Sequence, residues 1–327
     1  MRNAFLVAAV FAAVSIAPCF SANAPLERIA GIALPGNPTR LDYQSFDQRR
    51  HLLFIAHLGD SAVVVVDTQR RRVVATVQNV SAVHGVLAVP ELNTVYASAT
   101  GTNELVAIDE SGFTIKARMP GGVYPDGIAF EPRTRRLFVS DERGGTDTVI
   151  DTKTNRRIGT IPLGGEAGNT QYDAASHHIF VNVQTLGQLL EIDPFTMRIL
   201  RRVPLSGCAG NHGLLIDAGA RRAFIACEDN AAFLWLDMRT MRVCGTWTVG
   251  EGPDVLALDA KKQRLYVAAE SGVVSVFDAG RNVRRIWQGF LAPAAHTVAV
   301  DPVTHAVYFP LENIGGRPTL RIMAQRP

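Results

Sequence analysis

Seven short apolar runs recur along the chain at nearly constant intervals: LLFIAH, TVYASA, RLFVSD, HIFVNV, RAFIAC, RLYVAA and AVYFPL. Their aromatic residues are Phe54, Tyr96, Phe138, Phe180, Phe224, Tyr266 and Tyr308, spaced by 42, 42, 42, 44, 42 and 42 residues. A period in this range belongs to propellers or solenoids, whose units bury their apolar faces only against one another. The runs are short, rich in β-branched residues and punctuated by Gly, Pro, Asp and Asn. That pattern predicts strands, because helical repeats of this length need amphipathic stretches of ten or more residues.

The third unit displays four strands in order: DGIAFEP, RLFVSDE, DTVIDT and RRIGTIPLGG. Seven four-stranded units predict an all-β fold, a seven-bladed β-propeller. The seventh unit has AVYFPL and TLRIMA but no fourth strand after them. ERIAGIALPG, Glu27 to Gly36, matches the fourth-strand type and is expected to complete that blade from the other end of the chain. Closure of this kind removes two exposed sheet edges.

The units also carry a resemblance. VVVVDTQRRRVVATV, DTVIDTKTNRRIGTI and YVAAESGVVSVFD are similar to the YVTN-type (YncE-like) β-propeller repeat family, and the likeness runs over essentially the whole chain after its first 24 residues. The resemblance implies the fold. For function it implies a range that includes extracytoplasmic binding proteins, surface proteins, DNA binders and relatives of lactonases. The site itself therefore has to carry the functional argument.

Ahead of the repeats, Arg2 is followed by the apolar run AFLVAAVFAAVSIA, Ala4 to Ala17. Its 14 residues fall short of the roughly 20 needed to span a bilayer. With Pro18 and then Ala22-Asn23-Ala24, the segment 1–24 reads as a secretory signal peptide. Residues 25–327 are then a single propeller domain, expected in the periplasm or secreted. Pro18 directly before Cys19 fits a lipid-anchor signal badly.

Loss of that segment would remove Arg2 and no acid, leaving 32 Lys and Arg against 30 Asp and Glu. The longest basic block is Arg70 to Arg72, so nothing marks the concentrated basic stripe of a nucleic-acid surface. Three cysteines would remain, Cys208, Cys227 and Cys244, and an odd number in an oxidising compartment leaves at least one outside any intramolecular pair. Cys208 and Cys227 both approach one end of the fifth unit and are expected to form a disulfide. Cys244, on the outermost strand, is expected to be a lone buried thiol.

The repeat serves as its own control, because a residue present in nearly every unit is most simply framework. Asp67, Asp109, Asp151, Asp193, Asp237 and Asp278 recur at the end of the third strand, and are expected to accept backbone N–H bonds in the following turn. Twelve residues before each aromatic stand Asp42, His84, Asp126, Gly168, His212, Asp254 and His296. Six of these seven are Asp or His, and they vary between units. They are expected to ring one mouth of the channel, each at the solvent end of an otherwise buried row.

Sixteen residues further on, four units carry Glu142, Glu228, Glu270 and Glu312, while Leu58, Thr100 and Gln184 take that place in the others. The expected pairs are Asp126/Glu142, His212/Glu228, Asp254/Glu270 and His296/Glu312. Convergent His and carboxylate side chains suit a divalent metal or a polar ligand. The alternative is that the Asp and His residues cap strand starts and that the glutamates are solvated. His57 and Asp141 are candidates to join the same face. His177, His178 and His305 are expected in solvated turns on the opposite one.

The phosphate-loop, His-Glu-x-x-His, haem-attachment and Gly-x-Ser-x-Gly patterns are absent. The first functional expectation is a monomeric binding module for a small molecule or an extracytoplasmic protein, with a divalent metal as the one candidate cofactor. The alternatives are a metal-dependent hydrolase or lyase of the lactonase kind, with His84, His212 or His296 as acid or base, and a DNA-binding propeller.

Overall fold

The computed structural model describes residues 24–326, so the expected signal peptide lies outside the described residues, apart from Ala24. Seven four-stranded antiparallel sheets follow one another along the chain as the blades of a propeller. Blade 3 is representative, with strands Pro125–Glu131, Arg136–Asp141, Thr146–Asp151 and Arg156–Pro162 from the channel outwards. Blade 7 takes its inner three strands, Ala299–Val300, Val307–Leu311 and Thr319–Gln325, from one end of the chain. Its outermost strand, Leu26–Ala33, comes from the other end, in register from Leu26 opposite Gln325 to Ala33 opposite Thr319.

Burial follows strand position. Second strands such as Leu52–His57 and Thr94–Ala99 are buried along their whole length, because blades cover both faces. The outermost strand Arg242–Thr248 alternates exposed and half-buried residues instead. The apolar core is divided into seven clusters, one at each boundary between neighbouring blades. The ring is thus held by seven similar interfaces around the channel.

The recurring aspartates are framework. Asp67 accepts the Arg70 N–H, Asp109 those of Ser111 and Gly112, and Asp151 that of Lys153. Asp193, Asp237 and Asp278 do the same for Phe195, Arg239 and Gly280. Each side chain satisfies turn donors that would otherwise lack a partner.

One irregularity positions the channel mouth. In blades 2 to 6 the innermost strand loses register over two residues, for example between Pro125 and Ile128 or between Pro253 and Leu256. The skipped residues are His84-Gly85, Asp126-Gly127, Gly168-Asn169, His212-Gly213 and Asp254-Val255. Such a bulge lifts a side chain out of the pleat and re-aims it. The glycines are needed for close approach: a Cβ at Gly213 would lie 1.9 Å from the Asp254 carbonyl oxygen, and one at Gly85 2.1 Å from that of Asp126. Ser98 reinforces the contact, bonding both the Gly85 N–H and the Asp126 carbonyl of the next blade.

Candidate functional site

The Asp and His residues gather at one mouth, where Asp42, His84, Asp126, His212 and Asp254 border a cavity of about 440 Å³ with Glu142, Glu228 and Glu270, while the fully buried His296 is not part of that lining. They do not stand at the solvent end of their rows. Asp42, Asp126, Asp254 and His296 are each no more than 3 % exposed, and His212 is 8 % exposed. Arg40 and the glutamates lie above them, so the ring forms a buried polar floor.

Two groups converge there. One oxygen each from Asp42 and Asp254 and one ring nitrogen of His296 lie within 4.8 Å of one another. His212, Glu228 and Asp254 form a second such group, sharing Asp254. The two groups differ in how their histidines are bonded. His212 is engaged on both sides: Nε2 lies 3.3 Å from Asp126 and 3.2 Å from the Tyr43 hydroxyl, and Nδ1 lies 3.2 Å from the Gln184 side-chain oxygen. His296 is fully buried, with Nδ1 in ion-pair contact with Glu270 Oε2 at 3.3 Å, and neither ring nitrogen has a hydrogen-bond partner among the described residues. A histidine with one nitrogen facing a carboxylate and the other open has the arrangement of a metal ligand.

Of the expected pairs within blades, His212 and Glu228 converge in the second group, and the other contacts run between blades. Glu270 of blade 6 meets His296 of blade 7, and Asp126 of blade 3 reaches His212 of blade 5 across the side-chain-free Gly168 of blade 4. Near the axis, neighbouring innermost strands approach to backbone contact, so polar partners from other blades come within reach. Glu142 is tied to Gln184, and His84 is held by the Ala82 carbonyl and the Tyr124 hydroxyl, so neither joins a convergent group. Glu312 is half-buried and also outside both groups.

Electrostatics bind this floor together. Burial raises the Asp42 carboxyl to about 6 and also pushes Asp254 up. Burial works against charge on His296, but Glu270, Asp254 and Asp42 together raise it to about 9. Burial also opposes charge on Glu270, yet His296 and Arg40 pull that carboxyl down to about 2. Arg40 bridges the two layers, 3.2 Å from Asp42 and 2.7 Å from Glu270. Excess negative charge packed at one point, with partial compensation, is an environment that favours a small cation.

Sequence reasoning missed Arg40 and Tyr43. The Tyr43 hydroxyl comes from blade 1 and reaches His212 at 3.2 Å, Asp254 at 3.1 Å and Asn169 at 2.6 Å, in blades 5, 6 and 4. The ring therefore crosses the channel axis, bordering both the mouth and a lower cavity of about 160 Å³ lined by all seven innermost strands. A signal existed: eleven residues before each aromatic stand Tyr43, Gly85, Gly127, Asn169, Gly213, Val255 and Thr297, and only blade 1 has an aromatic there.

The other histidines and cysteines fall as follows. His57 and Asp141 stay outside the ring, His57 beside Thr39 and Asp60, Asp141 bonded to Gly122, Thr146 and Thr148. His177, His178 and His305 are not freely solvated, being half-buried and bonded to Tyr172, Glu191 and Asp259. Cys208 and Cys227 are joined in a disulfide with Cα atoms 5.4 Å apart, beside the bulge that carries His212. Cys244 is exposed rather than buried, because it lies on an outward-facing position of the outermost strand of blade 5. Among the described residues no helix is long and apolar enough to cross a membrane.

The architecture has counterparts of known structure. Hydrazine synthase of Kuenenia stuttgartiensis superposes with a TM-score of 0.75 at 14% identity, over 85% of this chain and 94% of that one. A chain in the crystal structure of the mitotic checkpoint complex superposes with a TM-score of 0.77 at 11% identity, over 100% of this chain and 99% of that one. At these identities the likeness is one of fold. No family model and no curated protein matches the sequence.

Proposed function

We propose that this chain is an exported, monomeric propeller of the YVTN type that binds a polar ligand at its channel mouth through a divalent cation. Asp42, Asp254 and His296 are the ligands to that cation. The observation that carries this reading is His296: fully buried, backed by Glu270 on one nitrogen, open on the other, and grouped with two buried carboxylates. Two carboxylates and an imidazole suit a borderline or hard divalent ion such as Zn²⁺ or Mn²⁺. Three protein donors leave a position for an oxygen of the incoming molecule, which the 440 Å³ mouth has room to admit.

The ligand favoured is a small molecule carrying a carboxylate, carbonyl or hydroxyl oxygen. The acidic mouth, with Glu142, Glu228 and Glu270 at its border, opposes a nucleic-acid role because phosphate backbones seek the opposite charge.

Elemental analysis tests the reading directly. The purified chain is equilibrated with Mn²⁺ or Zn²⁺, freed of excess by gel filtration and analysed beside Asp254→Asn and His296→Ala variants of verified fold. One ion per chain in the wild type, lost in both variants, is the expected result. A wild-type chain that emerges without metal overturns it.

A further inference from the structure

On the opposite face, where the two ends of the chain meet in blade 7, lies a cavity of about 770 Å³. We propose that this cleft is a second binding site, selective for an organic anion with a phosphate or carboxylate head and a short apolar body. It is independent of the channel mouth.

The same place is filled differently in the other blades. Two residues before each blade's aromatic stand Leu52, Thr94, Arg136, His178, Arg222 and Arg264, but Ala306 in blade 7. In blade 2 the equivalent space is about 220 Å³, and Lys116 extends into it to bond Thr94 and Asp109. Blade 7 has Ala306 for Thr94, Ala324 for the framework aspartate and Ile29 for Lys116. The polar filling is replaced by small or apolar groups, and the volume is correspondingly larger.

The cleft also inherits a cation with nothing to bind. Arg136 of blade 3 donates to the carbonyls of Pro194 and Phe195, in the turn between the third and fourth strands of blade 4. Arg222 of blade 5 does the same to Ala279 and Gly280 of blade 6. Arg264 of blade 6 holds the same repeat position, but its neighbour is blade 7, whose third and fourth strands come from opposite chain ends and have no such turn. Its side chain borders the cleft and, among the described residues, makes no hydrogen bond or ion pair. Arg71 and Lys262 border the cleft too, as does Arg326, which is paired with Glu27 at 3.5 Å; the one acid in the lining, Asp301, has its carboxylate occupied by the Val303 N–H and the Thr304 hydroxyl.

Acceptor oxygens are thus missing where a guanidinium is placed to receive them, and an anion supplies them with bidentate geometry. Part of the remaining wall is apolar, formed by Ile29, Ala306, Ile322 and the Tyr308 ring, beside polar groups such as His51, Thr68 and Gln69. A bare inorganic ion would leave that wall uncovered, so the ligand class includes an apolar part.

Calorimetric titration with hexyl phosphate and with inorganic phosphate tests the assignment on the full chain. Hexyl phosphate is expected to saturate a single site and to bind more tightly than phosphate. Affinity should fall by about tenfold or more in Arg264→Ala and Arg71→Ala, and at high salt. Ala306→Leu, which installs the residue that blade 1 has at this position, should abolish binding by filling the cleft. His296→Ala should leave it unchanged, separating this site from the mouth. No saturable binding of either anion, or binding indifferent to both Arg264→Ala and Ala306→Leu, overturns the proposal; equal affinity for the two probes overturns its amphiphilic part.

Discussion

Nδ1 of His296 stands 3.3 Å from Oε2 of Glu270, across the boundary between blades 7 and 6. Glu270 is itself held by Arg40 at 2.7 Å, so a chain of charge runs from the rim to the buried imidazole. A carboxylate behind a ligating histidine fixes the ring and increases its basicity, and removing one lowers metal affinity by roughly 10- to 100-fold. Glu270→Gln is therefore expected to weaken Mn²⁺ or Zn²⁺ binding by about that factor with the fold intact. Glu312→Gln, outside both convergent groups, should leave it unchanged. Competition against a chromophoric chelator measures both. Equal effects in the two variants would remove Glu270 from the positioning role.

Gly213 offers a test of how the floor is built. A Cβ there meets the Asp254 carbonyl oxygen at 1.9 Å, with the Ala226 Cβ at 3.0 Å on another side. Backbone of a neighbouring blade cannot swing aside like a flexible side chain, so Gly213→Ala should cost about 2–3 kcal/mol and displace Asp254, lowering cation affinity as well. Gly207 is the control: nothing lies within 4 Å of its would-be Cβ, although its φ is +86°. Only backbone strain of about 1–2 kcal/mol is expected for Gly207→Ala, with cation binding intact. Urea unfolding and metal titration together distinguish the two.

A pH effect should originate far from the mouth. Glu110 is buried, and burial first, then the neighbouring Asp47, raise its carboxyl to about 7 from an ordinary 4.5. The folded chain thus holds a proton that the unfolded chain releases at lower pH. The stability this contributes is fully present below the unfolded value and is lost as pH rises through about 7. Glu110→Gln keeps the shape without the charge. It should be more stable than wild type by about 3 kcal/mol at high pH and nearly equal to it at low pH. Urea midpoints at about pH 5 and about pH 8 measure the difference; a variant destabilised equally at both would show that the carboxyl is needed in its charged form.

How far the sequence carries depends on whether a feature repeats. The aromatic spacing set the blade number, and Glu27 to Gly36 matched the fourth-strand type closely enough to reveal the closure. The column containing Asp42, His212, Asp254 and His296 was visible because it varies within an otherwise regular frame. Of their partners only Glu228, beside His212, was visible, since pairing by offset assumes contacts within a blade. Near the axis, the bulges bring neighbouring innermost strands together, so Glu270 finds His296 rather than Asp254. Tyr43 was legible in the column one residue further on, but Arg40 was not. Fourteen residues before each aromatic, its counterparts are Ala82, Tyr124, Glu166, Gly210, Gly252 and Ala294, a column too varied for one departure to stand out.

The position of Tyr43, hydrogen-bonded at once to His212, Asp254 and Asn169, has a kinetic consequence. A tunnel open at both ends lets a molecule arrive on one side and depart on the other, whereas this one is corked. Whatever settles on the acidic floor must back out by the way it came. The seam cleft on the far face shares no lining residue with either channel cavity, so the cork at Tyr43 governs the mouth alone.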